Sequence, residues 1–372
     1  MSRPPEPITP NATARTGTAL SVDGLHVAVG GPDRIEAVRD VSLTVGPGEA
    51  VGLVGESGSG KSLTCRSVLG VLPPGCDVAE GSIVLHGAEP AELTALTRKE
   101  WESVRGQRLG AVFQDPASYL NPSLSVGRQL SEQLRVGSGL SRTAAHNRAV
   151  ELFSAVGLRL PGEIYHQYPH ELSGGMLQRV LIAIAIACEP ELLIADEATT
   201  ALDVVVQAEI LELLQRLRSE QGLALLLVTH DLAVVAQTCD RILVMYAGEI
   251  VEEGPTAEVL AAPAHPYTEA LLRVASTGEA GRGELQIIPG RPPETGAELP
   301  GCRFAERCAY ADAECVAGPV ATRSVGPGRR ARCLRPAGLN QNAGTGTTAE
   351  NTTAQAGATA GVTAPEPEGS RV

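Results

Sequence analysis

Aromatic residues are rare in this chain. Phe, Trp and Tyr make up 3% of the 372 residues, although 43% are hydrophobic, so the core of a folded domain has to be mainly aliphatic. Long hydrophobic runs are missing as well. The longest unbroken one, at 180–188, is too short to cross a bilayer, and residues 1–19 contain no apolar segment of the kind that a signal peptide needs. A membrane role would therefore have to come through partner proteins.

An excess of basic charge is also missing, because the net charge is −13 at pH 7 and the pI is near 5.1. A nucleic-acid surface needs a basic patch, so we expect no nucleic acid partner. The chain has eight cysteines without a secretion signal, which is typical of a protein in a reducing cytosol, where disulfides are disfavoured.

Composition and hydrophobic patterning divide the chain into four segments. Residues 1–18 and 337–372 are predicted to be a disordered leader and a disordered tail. Between 19 and 275, short apolar runs alternate with helical patterns, which predicts an α/β domain with a mostly parallel sheet. Within that domain the strand-like runs vanish from about 115 to 172, which indicates an inserted helical subdomain. Residues 276–336 form a loop-rich module that contains cysteines.

The most specific motif is G-E-S-G-S-G-K-S at 55–62. It fits the phosphate-loop pattern G-x-x-x-x-G-K-S/T and follows an apolar run at 50–54 that predicts a strand. Glycines let the backbone wrap around an anion, and the start of the next helix adds positive potential. Lys61 would reach the β- and γ-phosphates and Ser62 would bind Mg²⁺; the alternative is a Gly-rich surface turn. The expected nucleotide contacts are Gly55, Glu56, Ser57, Gly58, Ser59, Gly60, Lys61, Ser62 and Leu63.

A second apolar run, at 192–195, ends in two carboxylates, Asp196 and Glu197. In a P-loop enzyme a carboxylate at such a strand end helps to hold Mg²⁺, which suits Asp196. The neighbouring Glu197 is then placed to polarise the attacking water. The alternative is a helix N-terminus that carries acidic residues.

Residues 172–179 read L-S-G-G-M-L-Q-R and stand directly before an apolar helical segment. Ser173 suits a helix N-cap, and Gly174 and Gly175 permit close approach to an anion. Here the chain resembles the ATP-binding subunits of ABC transporters, whose signature motif is LSGG followed by Gln or Met. The resemblance extends over nearly all of 20–275, with its motifs in the order expected for the family.

This resemblance implies roles for three further residues. Gln114 matches the Q-loop, which links the core to the helical subdomain and senses Mg²⁺; Asp203 matches the D-loop; and His230 matches the switch histidine that contacts the γ-phosphate. Where the family usually stacks adenine on an aromatic side chain, this chain has Val29. The resemblance therefore leaves open what holds the base.

The resemblance also implies a fold and a mechanism. The expected fold is α/β, a P-loop NTPase core of the ABC ATPase type with an antiparallel β subdomain, an inserted helical subdomain and a small Cys-rich C-terminal module. Such subunits form head-to-tail dimers that clamp ATP between the phosphate loop of one chain and the LSGG segment of the other, and hydrolysis drives the attached permeases. The implied catalytic residues are Glu197, His230, Gln114 and Lys61, and the implied Mg²⁺ ligands are Ser62, Gln114 and Asp196.

A narrower resemblance begins near the end of the α/β domain at 19–275. The segments H-P-Y-T at 265–268, I-P-G-R-P-P at 288–293 and G-C-R-F-A-E-R-C at 301–308 resemble the C-terminal region of ATPases that serve oligopeptide, dipeptide and nickel importers. This implies an ATPase at the cytoplasmic face of the cell membrane, paired with a second related ATPase, two permeases and an extracytoplasmic solute-binding protein. Nickel or another small solute is an alternative substrate, and an ABC ATPase of DNA repair or translation is a less favoured alternative function.

Four cysteines fall in the C-terminal module, with gaps of five, six and seventeen residues between them: Cys302, Cys308, Cys315 and Cys333. The module has too little apolar sequence for a core of its own and needs a cross-link. Disulfides are disfavoured in the cytosol, and the sequence has no C-x₂₋₄-C pair of the kind usual for zinc. Four such thiolates suit a 4Fe–4S cluster, which members of the importer family carry here; reduced cysteines and zinc stay open as alternatives. We expect nearby arginines, Arg303, Arg307 and Arg332, to offset the charge of the cluster, and a Cys308→Ser change to leave ATP binding largely intact.

Overall fold

The computed structural model describes residues 17–30, 34–198, 203–279 and 287–336. The predicted tail and nearly all of the predicted leader therefore lie outside the described residues. Over the ranges that are described, no helix is both long enough and apolar enough to cross a membrane.

Strands and helices are interspersed through the described part of the chain. The strands are β1 Leu20–Val29, β2 Ile35–Val45, β3 Ala50–Val54, β4 Cys76–Leu85, β5 Ala91–Glu92, β6 Leu109–Val112, β7 Leu192–Asp196, β8 Ala224–Val228, β9 Arg241–Tyr246, β10 Glu249–Pro255, β11 Arg323–Gly326 and β12 Arg329–Ala331. The helices are α1 Lys61–Leu69, α2 Arg98–Val104, α3 Val126–Gly137, α4 Arg142–Ala155, α5 Pro161–Ile164, α6 Gly174–Ala185, α7 Val204–Gln221, α8 Leu232–Thr238, α9 Thr256–Ala261, α10 Pro266–Glu279 and α11 Ala313–Ala317. The apolar runs at 50–54 and 192–195 are thus strands β3 and β7, as predicted.

Parallel strands form the centre of the larger sheet. Its eight strands have the order β11-β12-β10-β9-β3-β8-β7-β6, and the pairs from β9 to β6 are parallel. Every residue of β3, β7 and β8 is buried, because strands of such sheets are covered on both faces. The predicted α/β core is confirmed, and the carboxyl ends of its parallel strands meet along one edge of the sheet.

The smaller sheet is antiparallel and has the order β2-β1-β4-β5. Strand β1 pairs with β2 on one side and β4 on the other. Its inward side chains, Leu20 and Leu25 among them, are fully buried in a core that they share with Val68 of α1 and Leu226 of β8. This sheet is the predicted antiparallel β subdomain, and its core fixes it against the parallel sheet.

Helices α3, α4 and α5 follow one another where the strand-like runs of the sequence vanish. Leu130 of α3 and Phe153 of α4 are fully buried and belong to the same core as side chains of α6. Ser141 caps α4, since its side chain accepts a hydrogen bond from the N–H of Ala144. The predicted helical subdomain is therefore present, inserted between β6 and α6.

Residues 287–336 extend the cassette. Strands β11 and β12 form an antiparallel hairpin, and β12 pairs with β10 at the edge of the larger sheet. The buried ring of Phe304 lies 5.2 Å from the ring of Tyr246 and 5.4 Å from that of Tyr267, centroid to centroid. The sequence predicted that this segment has too little apolar sequence for a hydrophobic core of its own. The structure shows that it packs against side chains of residues 19–275, which supply part of the core it needs.

Candidate nucleotide-binding site

Four neighbouring parallel strands carry most of the predicted site residues at or just beyond their carboxyl ends. Strand β3 leads into the phosphate loop, β8 into the segment of His230, β7 ends in Asp196 and β6 precedes Gln114. In open α/β sheets, ligands bind at this edge. Sheet order therefore gathers residues that are up to about 170 positions apart in the chain, as the interval from 61 to 230 illustrates.

The phosphate loop passes so close to β9 that two of its positions require glycine. Gly55 and Gly60 have φ angles of 154° and 107°. A Cβ atom at Gly55 would lie 2.1 Å from the carbonyl oxygen of Met245, and one at Gly60 would lie 2.6 Å from its Cε. A side chain at Gly55 would clash with the backbone of β9, and at Gly60 the positive φ angle itself disfavours any residue with a Cβ atom. The loop is thus held in shape by β9 on one side.

The remaining loop residues differ in exposure. Ser57 and Gly58 are exposed at the tip, Ser59 is buried, and Leu63 is half-buried in the first turn of α1. Gly58 has a φ of 79°, and a Cβ atom placed there would have open space for 4 Å around it. The tip is therefore open to a ligand, while the base of the loop is packed.

Lys61 lies inside the loop and is only 5% exposed. Its Nζ donates hydrogen bonds to the carbonyl oxygens of Gly55 at 2.8 Å and Glu56 at 2.9 Å, and lies 3.4 Å from the Oγ of Ser59. Burial lowers the pKa of Lys61, and the nearby charges of Glu197 and Asp196 act in the opposite direction. A phosphate would offer this buried ammonium a full negative charge where it now has carbonyl dipoles.

Ser62 and Asp196 meet across the site. The Oγ of Ser62 donates to the Oδ1 of Asp196 at 3.3 Å. Burial raises the pKa of Asp196, which the hydrogen bond from Ser62 partly offsets. Two oxygen ligands suit Mg²⁺, because this ion is usually bound by one or two protein groups together with water and substrate phosphates.

Glu197 has a left-handed backbone, with a φ of 50°, which is uncommon for a residue other than glycine. Its N–H donates to the carbonyl oxygen of Val228 at 2.9 Å, so the turn is fixed against β8. Its Oε1 lies 3.6 Å from the Nδ1 of His230. Strain at one backbone position thus directs the carboxylate toward the histidine, and such strain is concentrated at functional sites.

Gln114 and the LSGG segment lie further out. Gln114 is exposed in the bend after β6. Ser173 caps α6 as predicted, accepting a hydrogen bond from the N–H of Met176 at 3.4 Å, and Ser173 and Gly174 are exposed. A Cβ at Gly175 would lie 2.8 Å from the Cγ1 of Val206, so this glycine packs on α7. The signature segment faces outward from the helical subdomain.

In the structure Asp203 caps a helix and Val29 ends a strand. The carboxylate of Asp203 caps α7 by accepting hydrogen bonds from the N–H groups of Val205 and Val206; residues 199–202, which precede it, lie outside the described residues. Val29 ends β1, half-buried, with Ile35 and Cys76 as its partners across the sheet. Neither contact identifies what stacks on a base.

Two residues at the phosphate loop were missed by sequence reasoning. The N–H of Glu56 donates to the Oη of Tyr267 at 2.8 Å, and the guanidinium of Arg307 pairs with the carboxylate of Glu56. Tyr267 belongs to the H-P-Y-T segment, whose sequence indicates only the start of a helix in a family motif. Arg307 and Arg332 were expected to offset the charge of a metal cluster; in the structure the Arg307 guanidinium pairs with Glu56 and that of Arg332 with Asp40, and the expected role stays a prediction.

The four C-terminal cysteines line one narrow cavity together with His265 and Phe304. Burial raises the pKa of the Cys302 and Cys308 thiols, and raises that of Cys333 to about 11. Within the described ranges, no group of three or more His, Cys, Asp or Glu side chains is arranged to hold a metal ion. The thiols thus face the same cavity without forming a ligand set for one ion.

The fold and this strand edge define a P-loop ATPase of the ATP-binding cassette class. Residues 38–200 match the family model described as ABC transporter, and residues 251–315 match the one described as oligopeptide/dipeptide transporter, C-terminal region. The chain belongs to the ABC transporter ATP-binding family, in its oligopeptide/dipeptide group. It is an ATPase that uses ATP with Mg²⁺.

Relatives and solved structures agree with this placement. A protein of Brucella melitensis, named as a putative peptide import ATP-binding protein, is 49% identical over 81% of this chain and 92% of its own length. A protein of Brucella abortus with the same kind of name is 47% identical over 85% of this chain and 96% of its own length. The dimeric ATP-binding cassette MJ0796, in a post-hydrolysis state bound to ADP and Pi, has a TM-score of 0.57 at 27% identity, over 64% of this chain and 98% of that one. CbiO1 of Clostridium perfringens, part of the ABC transporter complex CbiONQ, has a TM-score of 0.56 at 29% identity, over 66% of this chain and 91% of that one.

Proposed function

We propose that this chain is the ATP-hydrolysing subunit of an ABC importer for dipeptides or oligopeptides. The observation that carries the proposal is the meeting of Lys61, Ser62, Asp196, Glu197 and His230 at one sheet edge, in a chain whose C-terminal region is of the oligopeptide/dipeptide type. The names of the Brucella relatives support peptides as the cargo.

Each residue of the strand edge has a defined task in this proposal. Lys61 and the N–H groups of 55–63 bind the phosphates, and Ser62, Asp196 and Gln114 supply oxygen ligands for Mg²⁺. This ion, when bound, neutralises charge on the β- and γ-phosphates. Glu197 takes the proton of the water that attacks the γ-phosphorus, and His230 donates to a γ-phosphate oxygen. Lys61 stabilises the negative charge that develops as the bond to the leaving β-phosphate breaks.

The outward position of Ser173 and Gly174 supports a dimer. These residues are exposed at the start of α6, where they can complete a nucleotide site on a second, homologous ATPase subunit. We assign 19–275 to the nucleotide-binding domain, with its helical subdomain at about 115–172, and 276–336 to the C-terminal module. The pair would sit at the cytoplasmic face of the membrane on two permease subunits, which receive cargo from an extracytoplasmic solute-binding protein.

Measuring substrate uptake in the native host tests which substrate is transported. A strain without this chain should lose uptake of a labelled dipeptide or tripeptide and should regain it when the chain is restored, while nickel uptake stays unchanged. Loss of nickel uptake alone would favour the nickel alternative. Co-purification with ribosomes or DNA instead of permeases would contradict the transport role.

We also propose that the four C-terminal cysteines hold a 4Fe–4S cluster. The donor set suits it, because all four thiols line one cavity, and each thiolate of a cluster binds a different iron, so the sulfurs stand further apart than around one ion. The cavity has room for only about one water molecule, so it has to widen around the cluster. When bound, the cluster would supply a cross-link between the turns of residues 302–333.

His265 gives independent support for an acceptor in this cavity. Burial lowers its pKa to about 3, so the ring is neutral at pH 7. Its Nδ1 accepts a hydrogen bond from the N–H of Tyr267 at 3.0 Å, so the ring proton is on Nε2. That Nε2 is buried without a hydrogen-bond partner in the described structure. A sulfur of the cluster would accept a hydrogen bond from this N–H.

Anaerobic purification followed by iron and sulfide analysis tests the cluster. We expect about four iron atoms and four sulfides per chain, and loss of both in a Cys308→Ser variant. Cys188→Ser, which alters a half-buried cysteine outside the cavity, should retain them. A colourless wild-type protein with less than about one iron per chain, or with one zinc, would contradict the assignment.

A further inference from the structure

Glu56 of the phosphate loop is held by two residues from the C-terminal part of the chain. Its carboxylate receives both arms of the Arg307 guanidinium, with Nη1 2.7 Å from Oε2 and Nη2 3.0 Å from Oε1. Its backbone N–H donates to the Oη of Tyr267 at 2.8 Å. Arg307 lies 251 positions away in sequence and Tyr267 lies 211 positions away. A residue of the nucleotide site is thus clamped at both its main chain and its side chain from outside the cassette motifs.

The Arg307 guanidinium is itself fixed from several sides. It also donates to the carbonyl oxygens of Pro289 at 3.0 Å and Ile288 at 3.2 Å, and to the Oη of Tyr246 at 3.3 Å. Its side chain is 3% exposed, against 29% for that of Glu56. A bidentate Arg–carboxylate pair with one buried partner holds its geometry far better than an exposed ion pair. Glu56 is therefore the movable end of this contact and Arg307 the fixed one.

Tyr267 is equally rigid. Its side chain is fully buried, and its ring packs at 4.6 Å from that of Tyr246 and 5.4 Å from that of Phe304, centroid to centroid. Its N–H is bound to the ring of His265. The Oη therefore presents a fixed acceptor to the N–H of Glu56.

Glu56 also contacts Lys61, so fixing Glu56 helps to fix the lysine. The carbonyl oxygen of Glu56 accepts a hydrogen bond from the Nζ of Lys61 at 2.9 Å. The same residue therefore joins Tyr267 at its N–H, Arg307 at its carboxylate and Lys61 at its carbonyl. Because the glycines at 55, 58 and 60 leave the loop with much conformational freedom, a clamp at Glu56 reduces what ATP binding must order.

We infer that Arg307 and Tyr267 are positioning residues that hold the phosphate loop ready for ATP, so that the C-terminal region sets nucleotide affinity through Glu56. The inference rests on the proposed function of the loop as the ATP site. The clamp acts on the loop before nucleotide arrives and touches neither the attacked phosphorus nor Glu197. It therefore changes affinity for ATP more than the rate of the chemical step.

A double-mutant cycle tests the link in the full-length chain. Arg307→Ala should raise the Kd for a fluorescent ATP analogue, and the KM for ATP, about tenfold, with kcat changed less than about twofold. Arg307→Lys, which can make one of the two hydrogen bonds, should give an intermediate Kd. In a Glu56→Ala background, the Arg307→Ala change should alter Kd less than about twofold, since its route to the loop is gone.

The control is Arg330→Ala. Arg330 also pairs with a cassette carboxylate, that of Glu253 on β10, but lies on the β11–β12 hairpin away from the loop. Its removal should leave the Kd for ATP within about twofold of the wild-type value.

Two outcomes would overturn the inference. One is an unchanged Kd in Arg307→Ala, and the other is an equal loss in the wild-type and Glu56→Ala backgrounds, which would mean that Arg307 only supports the fold. If Arg307→Ala does not fold, Tyr267→Phe decides, because it removes one oxygen and keeps the buried ring: we expect a Kd about threefold higher, and an unchanged Kd would reject the clamp. Normal ATP binding by Lys61→Ala would instead show that the loop is not the ATP site, a separate failure of the proposed function.

Discussion

Replacing Lys61 with alanine is expected to raise the Kd for ATP by at least about a hundredfold, since charge-assisted hydrogen bonds to the phosphates are each worth roughly 1.5–3 kcal/mol. The ammonium is buried inside the phosphate loop, 2.8 Å from the carbonyl oxygen of Gly55. Hydrolysis should fall below detection, because the same group stabilises charge in the transition state. Titration with a fluorescent ATP analogue and a phosphate-release assay measure the two effects.

The fold should survive this change. Lys61 is held by loop carbonyls at the edge of the sheet, and removing a buried charge also removes its desolvation cost, so a thermal melt without nucleotide should shift by only a few degrees. Lys99→Ala is the matched control, because Lys99 is exposed on α2. If Lys61→Ala bound ATP within about threefold of wild type, the assignment of the phosphate loop would fail.

A Glu197→Gln variant is expected to bind ATP normally and to lose turnover by a factor of about 10²–10⁴, the usual contribution of a general base. The amide has nearly the shape of the carboxylate and can keep contact with His230, whose Nδ1 lies 3.6 Å away, but it cannot accept the proton of the attacking water. The left-handed turn at Glu197 does not depend on the charge, so the site geometry should be kept.

Single-turnover hydrolysis and equilibrium ATP binding, measured on the chain with its partner ATPase, separate the two effects. Glu212→Gln serves as the control, because Glu212 is exposed on α7 and its variant should hydrolyse ATP at the wild-type rate. Unchanged hydrolysis by Glu197→Gln would rule out this glutamate as the base, and a parallel loss of ATP affinity would mean that the residue shapes the binding site.

The structure also revises one expectation about the C-terminal cysteines. From sequence, Cys308→Ser was expected to spare ATP binding. Cys308 directly follows Arg307, whose guanidinium donates two hydrogen bonds to the carboxylate of Glu56 in the phosphate loop. A change that loosens the turn of residues 305–308 should therefore reach the nucleotide site as well. The 4Fe–4S cluster itself stays a prediction.

Local sequence determined the parts of this protein that lie close together in the chain. The phosphate loop is contiguous, and the strand–loop–helix signal around Lys61 needs no distant partner. Asp196 and Glu197 could be identified for the same reason, since they end a run that is apolar throughout, and Ser173 could be recognised as the cap of α6. Strand periodicity and the order of motifs then sufficed for the α/β fold.

Tertiary structure alone decided the contacts between distant segments. Nothing in the sequence around Glu56 indicates that Tyr267 and Arg307 hold it, because hydrogen bonds across 211 and 251 positions leave no local periodicity or composition. The pairing of β12 with β10 was hidden for the same reason. Short motifs encode the chemistry of the ATP site, whereas packing of the C-terminal region onto the cassette determines how that site is held.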